Sequence, residues 1–75
     1  MKANDYVFII PNRTYSENDA RYKMRPNVPY KILELFNKEV VLENPLDIGG
    51  NQHKSYWKIE DVKKINPKDY PEHFI

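Results

Sequence analysis

The chain predicts an all-β domain, a small five-stranded barrel with a long loop after the first strand and a 3₁₀ turn before the last. Two observations carry this. The hydrophobic runs are short and ordered: Tyr6–Ile10, then Tyr30–Phe36, Val40–Asn44 and Tyr56–Ile59, closed by Lys63-Lys64-Ile65. They are rich in aromatic and β-branched residues, the types that fit a pleated, half-buried surface. Between them stand Pro, Gly, Asn and Ser, the residues that reverse a chain.

Taken in order, Tyr6-Val7-Phe8-Ile9-Ile10 ends at Pro11, too short a run for a helix. Five consecutive apolar residues predict a strand covered on both faces, or one whose outer face meets the C-terminal tail. Residues 11 to 29 are polar and turn-rich, with Tyr15, Tyr22, Met24 and Val28 as the only bulky apolar members. A loop this long in so small a domain is often functional. Ser16-Glu17-Asn18-Asp19 reads as a weak cap for one helical turn around Glu17 to Arg21.

Pro29 releases the strand Tyr30–Phe36, Asn37-Lys38 forms a two-residue turn, and Glu39–Asn44 returns. The second connection, Pro45 to Gln52, centres on Gly49-Gly50-Asn51, which tolerates the positive φ of a tight reversal. Ser55–Ile59 is the fourth strand. In its alternation Trp57 and Ile59 share one face, and Tyr56 and Lys58 the other, which predicts a buried Trp57 and an exposed Tyr56. Glu60-Asp61-Val62 suits a single 3₁₀ turn, and Lys63-Lys64-Ile65 a short fifth strand. The barrel is expected over residues 1–66. Pro67 and Pro71 predict an extended tail over 67–75, with Tyr70 and Phe74 as anchors on the first strand.

Composition sets further bounds. Seventy-five residues make one domain at the lower edge of what one core stabilises. With no cysteine, neither a disulfide nor a thiolate metal site is available. Twelve basic and eleven acidic residues give a net charge of +1, without the basic excess usual in duplex-binding proteins. No run approaches the roughly 20 apolar residues needed to span a bilayer, and Met1-Lys2-Ala3-Asn4-Asp5 shows no signal-peptide pattern. A cytoplasmic location without membrane association is expected. Nine Lys to three Arg, with frequent Asn, Ile and Tyr, fits an AT-rich coding sequence such as those of low-GC bacteria and their phages.

Catalytic and metal chemistry find little support. His53 and Ser55 share a strand face, with Asp47 the nearest acid, but no oxyanion site accompanies them. His53, His73, Asp47 and Asp61 lack a recognised ligand spacing, so neither a metal nor a cofactor is expected. Gly49-Gly50 is followed by no Lys-Ser/Thr and no helix, so it is a turn and not a phosphate loop. The informative stretch is the long loop. Arg13, Tyr15, Arg21, Tyr22, Lys23 and Arg25 interleave cations with rings. Such a surface suits protein contact through aromatic anchors and guanidinium pairing, or single-stranded nucleic acid through stacking and phosphate contact.

The layout resembles the SH3-like small β-barrel. The closest local similarity is Tyr56-Trp57-Lys58-Ile59-Glu60-Asp61-Val62-Lys63-Lys64-Ile65, which looks like the closing segment of many bacterial SH3-like domains. There an acidic 3₁₀ turn follows strand four and a Lys-Ile pair ends the barrel. The eukaryotic peptide-binding branch has an Ala-Leu-Tyr-Asp-Tyr-like first strand and a Trp opening strand three. Here Asp5-Tyr6 and Glu39-Val40 stand in those places, so recognition of proline-rich peptides is not expected. Other branches bind nucleic acid, ribosomal components or proteins, and fold alone does not choose among them.

The reading that follows is a non-enzymatic protein-binding module, in the setting of a phage or mobile-element accessory protein acting on a host protein. Tyr15, Arg21, Tyr22, Arg25 and Tyr56 are its expected contact residues. The alternative is a nucleic-acid-binding barrel using the same loop with Lys54, Lys58, Lys63 and Lys64. Homo-oligomerisation through a sheet edge or the tail is a third expectation, from the limited core.

Overall fold

The computed structural model describes residues 1–44 and 54–74. The expected reversal at Gly49-Gly50-Asn51, together with Asp47 and His53, lies outside the described residues. Five strands form one antiparallel sheet: β1 (Tyr6–Ile9), β2 (Tyr30–Leu35), β3 (Glu39–Glu43), β4 (Lys54–Lys58) and β5 (Val62–Ile65). Their spatial order is β4-β3-β2-β1-β5. The all-β expectation is met, and each strand starts and stops within a residue or two of its predicted bounds.

β2 serves both halves of the sheet. Its first residues, Tyr30 and Lys31, pair with β1, and from Ile32 onward it pairs with β3. The register slips by one residue between Ile32 and Glu34, a bulge that bends the strand. At the β2–β3 turn the Phe36 N–H donates to Glu39 O at 2.8 Å, closing the two-residue reversal.

In β4 alternation decides burial as the sequence predicts, whereas in β3 Val41 is buried on the other face as well. Val40 and Leu42 of β3 lie directly across from Trp57 and Ser55 of β4, and all four are buried. With Val7, Ile9, Met24, Tyr30, Ile32 and Val62, the apolar members form one continuous core. Tyr56 points to the opposite face and is 47% exposed.

Closure into a barrel, expected from the sequence, is not seen: among the described residues β4 pairs with β3 alone, and β5 with β1 alone. The physical reason is the long loop. Its own 3₁₀ turn (Ala20–Lys23) lies against β4, with Arg21 donating to the Tyr56 carbonyl. That turn begins three residues later and ends two residues later than the expected span from Glu17 to Arg21. Asp19 is its cap, accepting from the Arg21 N–H at 3.0 Å.

The tail also departs from expectation. It is not extended: Pro67–Asp69 and Pro71–His73 each form a 3₁₀ turn. Proline suits the first position of such a turn, where no N–H is required, and the Asn66 side chain caps the first by accepting from the Lys68 N–H. The anchors land where the sequence placed them. Phe74 meets Tyr6 edge-to-face at 4.6 Å, and Tyr70 meets Phe8 at 5.0 Å. β1 is therefore covered on both faces, by the core through Val7 and Ile9 and by the tail through Tyr6 and Phe8. Ile65, which pairs with Tyr6, is buried outside the main core cluster.

Candidate functional site

The start of the long loop is fastened to the 3₁₀ turn between β4 and β5 (Ile59–Asp61). The Ile10 N–H donates to the Asp61 carbonyl at 2.8 Å. The Asp61 carboxylate accepts from Asn12 Nδ2 at 3.2 Å and from Arg13 Nε at 2.6 Å, while Arg13 Nη2 reaches Glu60 Oε1 at 2.8 Å. Asp61 is almost wholly buried. Burial by itself would raise its pKa. The hydrogen bonds from Arg13 and Asn12, with the positive charge of Arg13, outweigh this and hold the carboxyl below its usual value. The same contacts raise the Arg13 guanidinium, chiefly through its hydrogen bond to Asp61.

Because the Asp61 pKa is lower in the folded chain than in the unfolded one, its contribution to stability is complete above the unfolded value. It is lost as the pH falls through the folded value. Asp61→Asn is therefore expected to flatten the fall in stability below about pH 3.9, the ordinary Asp value. Urea unfolding at a series of acid pH values checks this, and an unchanged slope would contradict it.

The middle of the loop is built around a stack. Tyr15 packs edge-to-face on Trp57, with ring centroids 5.3 Å apart, and the Arg21 guanidinium lies over the Tyr15 ring at 4.3 Å. Arg21 forks onto Asp19, with Nε to Oδ1 at 3.0 Å and Nη2 to Oδ2 at 2.7 Å. This pairing lowers the Asp19 pKa and raises that of Arg21 through the hydrogen bonds between them. The third arm, Nη1, donates to the Tyr56 carbonyl at 3.0 Å. Below the stack runs a buried relay: Trp57 Nε1 donates to Ser55 Oγ at 2.8 Å, and Ser55 donates to Met24 Sδ at 3.3 Å.

Between loop and sheet lies a groove of about 220 Å³. Ile9, Met24 and Trp57 form its apolar floor, Tyr15 and Tyr22 its aromatic walls, and Arg13 and Arg21 are part of its lining. Of the five expected contact residues, the structure brings Tyr15, Arg21 and Tyr22 to this groove. Tyr22 is 44% exposed and projects there. Arg25 does not line it. Its N–H donates to the Tyr30 hydroxyl at 2.8 Å and its side chain to the Tyr22 carbonyl at 3.3 Å, so it braces the end of the loop. The Tyr56 ring lies on the other face of β4, near Lys54 Nζ at 5.9 Å.

Sequence reasoning missed the Asn12–Arg13–Asp61 cluster and the Ser55–Met24 link. For the second a signal existed, since Ser55 stands two residues before Trp57 and shares its inward face. Among the described residues no three His, Asp or Glu side chains converge as metal ligands, and no helix is long and apolar enough to cross a membrane. No family model, no curated protein and no solved structure matches the chain.

Proposed function

We propose that this chain is a non-enzymatic protein-binding module of the SH3-like barrel class, using the groove beneath its long loop to receive an apolar side chain of an extended segment. The meander β2-β3-β4, with β5 returning across a 3₁₀ turn to pair with β1, supports the class. The observation that carries the function is the state of the two arginines that line the groove. Arg13 is taken up by Asp61 and Glu60, and Arg21 by Asp19. A phosphate backbone would have to compete with carboxylates already held at 2.6–2.8 Å. What the groove offers instead is an apolar floor and an exposed ring, the make-up of a protein contact. The biological setting consistent with the composition is an accessory protein of a phage or mobile element acting on a host protein.

The test is a selection from a library of displayed peptides, run beside titrations with single-stranded oligonucleotides at two salt concentrations. Peptides with a common apolar position are expected, and Tyr22→Ala is expected to abolish their binding without altering the melting temperature. A selection yielding no sequence-specific peptide, or oligonucleotide binding that weakens steeply with salt, would overturn the proposal. The second outcome would install the nucleic-acid reading in its place.

A further inference from the structure

The groove has two electrically different ends. The loop runs back along β4 and touches it in reverse order: Met24 meets Ser55, Arg21 the Tyr56 carbonyl and Tyr15 the Trp57 ring. Arg13 then reaches Asp61, just beyond the strand. The apolar floor at Trp57 therefore lies between a Met24 end and an Asp61 end.

At the Asp61 end carboxylates prevail. Arg13 is shared by Asp61 and Glu60, one positive charge against two negative. Asp61 is buried, whereas the Glu60 side chain is 68% exposed and open to a second cation. At the Met24 end cations prevail. Lys23 and Arg25 flank Met24 and are both exposed, and among the described residues neither pairs with a carboxylate. Arg25 donates to the Tyr22 carbonyl, an uncharged acceptor. Between the two ends Asp19 and Arg21 cancel. The lysines of β4 leave both balances unchanged, since Lys54 stands directly across from Glu43 and Lys58 from Glu39.

Spacing links these ends to a ligand. From Ser55 to Glu60 the backbone advances about 14 Å, at roughly 3.3 Å per strand residue and 2.0 Å per 3₁₀ residue. In an extended segment, residues i, i+2 and i+4 point to one face, and the outer two stand about 13 Å apart. We infer that the groove takes an extended protein segment with an apolar side chain at its centre and opposite charges two residues to either side. The acidic residue meets Lys23 and Arg25, and the basic one meets Glu60. This rests on the protein-binding reading above and adds the charge pattern of the partner to it.

Fluorescence anisotropy with labelled, end-capped seven-residue peptides tests it on the full chain. Each peptide carries a central Leu, with Asp and Lys at the two flanking positions in either order and Ser elsewhere. Companions carry two Asp, two Lys or two Ser at those positions. One of the opposite-charge orders is expected to bind roughly three- to tenfold tighter than the uncharged peptide, the range two exposed ion pairs supply. The gain should vanish at about 1 M salt. Glu60→Gln should remove the preference for Lys and keep that for Asp, and Lys23→Gln combined with Arg25→Gln should do the reverse. Near-UV circular dichroism identifies folded variants; where a variant does not fold, the peptide series on the unaltered chain decides. Equal affinity across the series would overturn the inference and leave the protein-binding reading standing, as would tightest binding by a peptide of two like charges. Binding by none of the peptides would overturn both.

Discussion

Replacing Trp57 with alanine is expected to lower stability by about 3–5 kcal/mol, the usual range for emptying a large aromatic from a core. Trp57 is 3% exposed and lies directly across from Val40 in the β3–β4 ladder. Three further losses accompany the cavity. Tyr15 loses the ring it packs against, so Arg21 loses a well-placed platform. Ser55, itself buried, loses the donor to its hydroxyl. A domain of this length holds roughly 4–11 kcal/mol in all, so the variant should be partly unfolded at room temperature. Urea or thermal unfolding followed by circular dichroism measures it. A variant as stable as the parent would show that Trp57 is not a core residue. Trp57→Phe, which keeps an aromatic ring but loses the N–H and part of the indole's volume, sets an upper bound on what the hydrogen bond to Ser55 contributes.

The second large effect concerns the tail. Truncation after Asn66 removes both edge-to-face contacts, Phe74 on Tyr6 and Tyr70 on Phe8. Such ring pairs contribute roughly 0.5–1.5 kcal/mol each beyond the area they bury, so a loss of about 1–3 kcal/mol is expected. For a domain of this size each kcal/mol corresponds to roughly 4–8 °C in melting temperature. The shortened chain should also expose Tyr6, Phe8 and Ile65 as one apolar patch and bind a hydrophobic dye more strongly. An unchanged melting temperature would mean that the two turns at Pro67 and Pro71 ride on the sheet without supporting it.

What the amino-acid order reveals is mostly local. The alternation Ser55-Tyr56-Trp57-Lys58 is a period-two pattern, and it foretells which face of β4 is dry. Five apolar residues from Tyr6 to Ile10 foretell a strand covered on both sides, and Tyr70 and Phe74 are the rings near enough in type and reach to cover it. The tail's own shape was less legible, because proline suits both an extended segment and the first position of a 3₁₀ turn. Contacts between distant residues were hidden. Arg13 and Asp61 stand 48 positions apart, and Glu60-Asp61 looks like an ordinary solvated acidic turn until the chain folds over it. The open sheet was hidden for a related reason. Nothing in the residues of β4 alone says whether a strand or a loop will lie along it, since that depends on where Asp19 holds Arg21.

The place of β1 between β2 and β5 has a consequence for how the chain comes together during synthesis. Tyr6 pairs with Lys31 on one side and with Ile65 on the other, so its two neighbours are separated by some thirty residues of intervening chain. The β2-β3-β4 meander joins sequential neighbours and can assemble while the ribosome is still working. β1 must wait for β5 before its second side is paired, and the rings of Tyr70 and Phe74 emerge later still. Distant pairing of this kind slows folding. Until Tyr70 and Phe74 leave the exit tunnel, the rings of Tyr6 and Phe8 lack the partners that cover them.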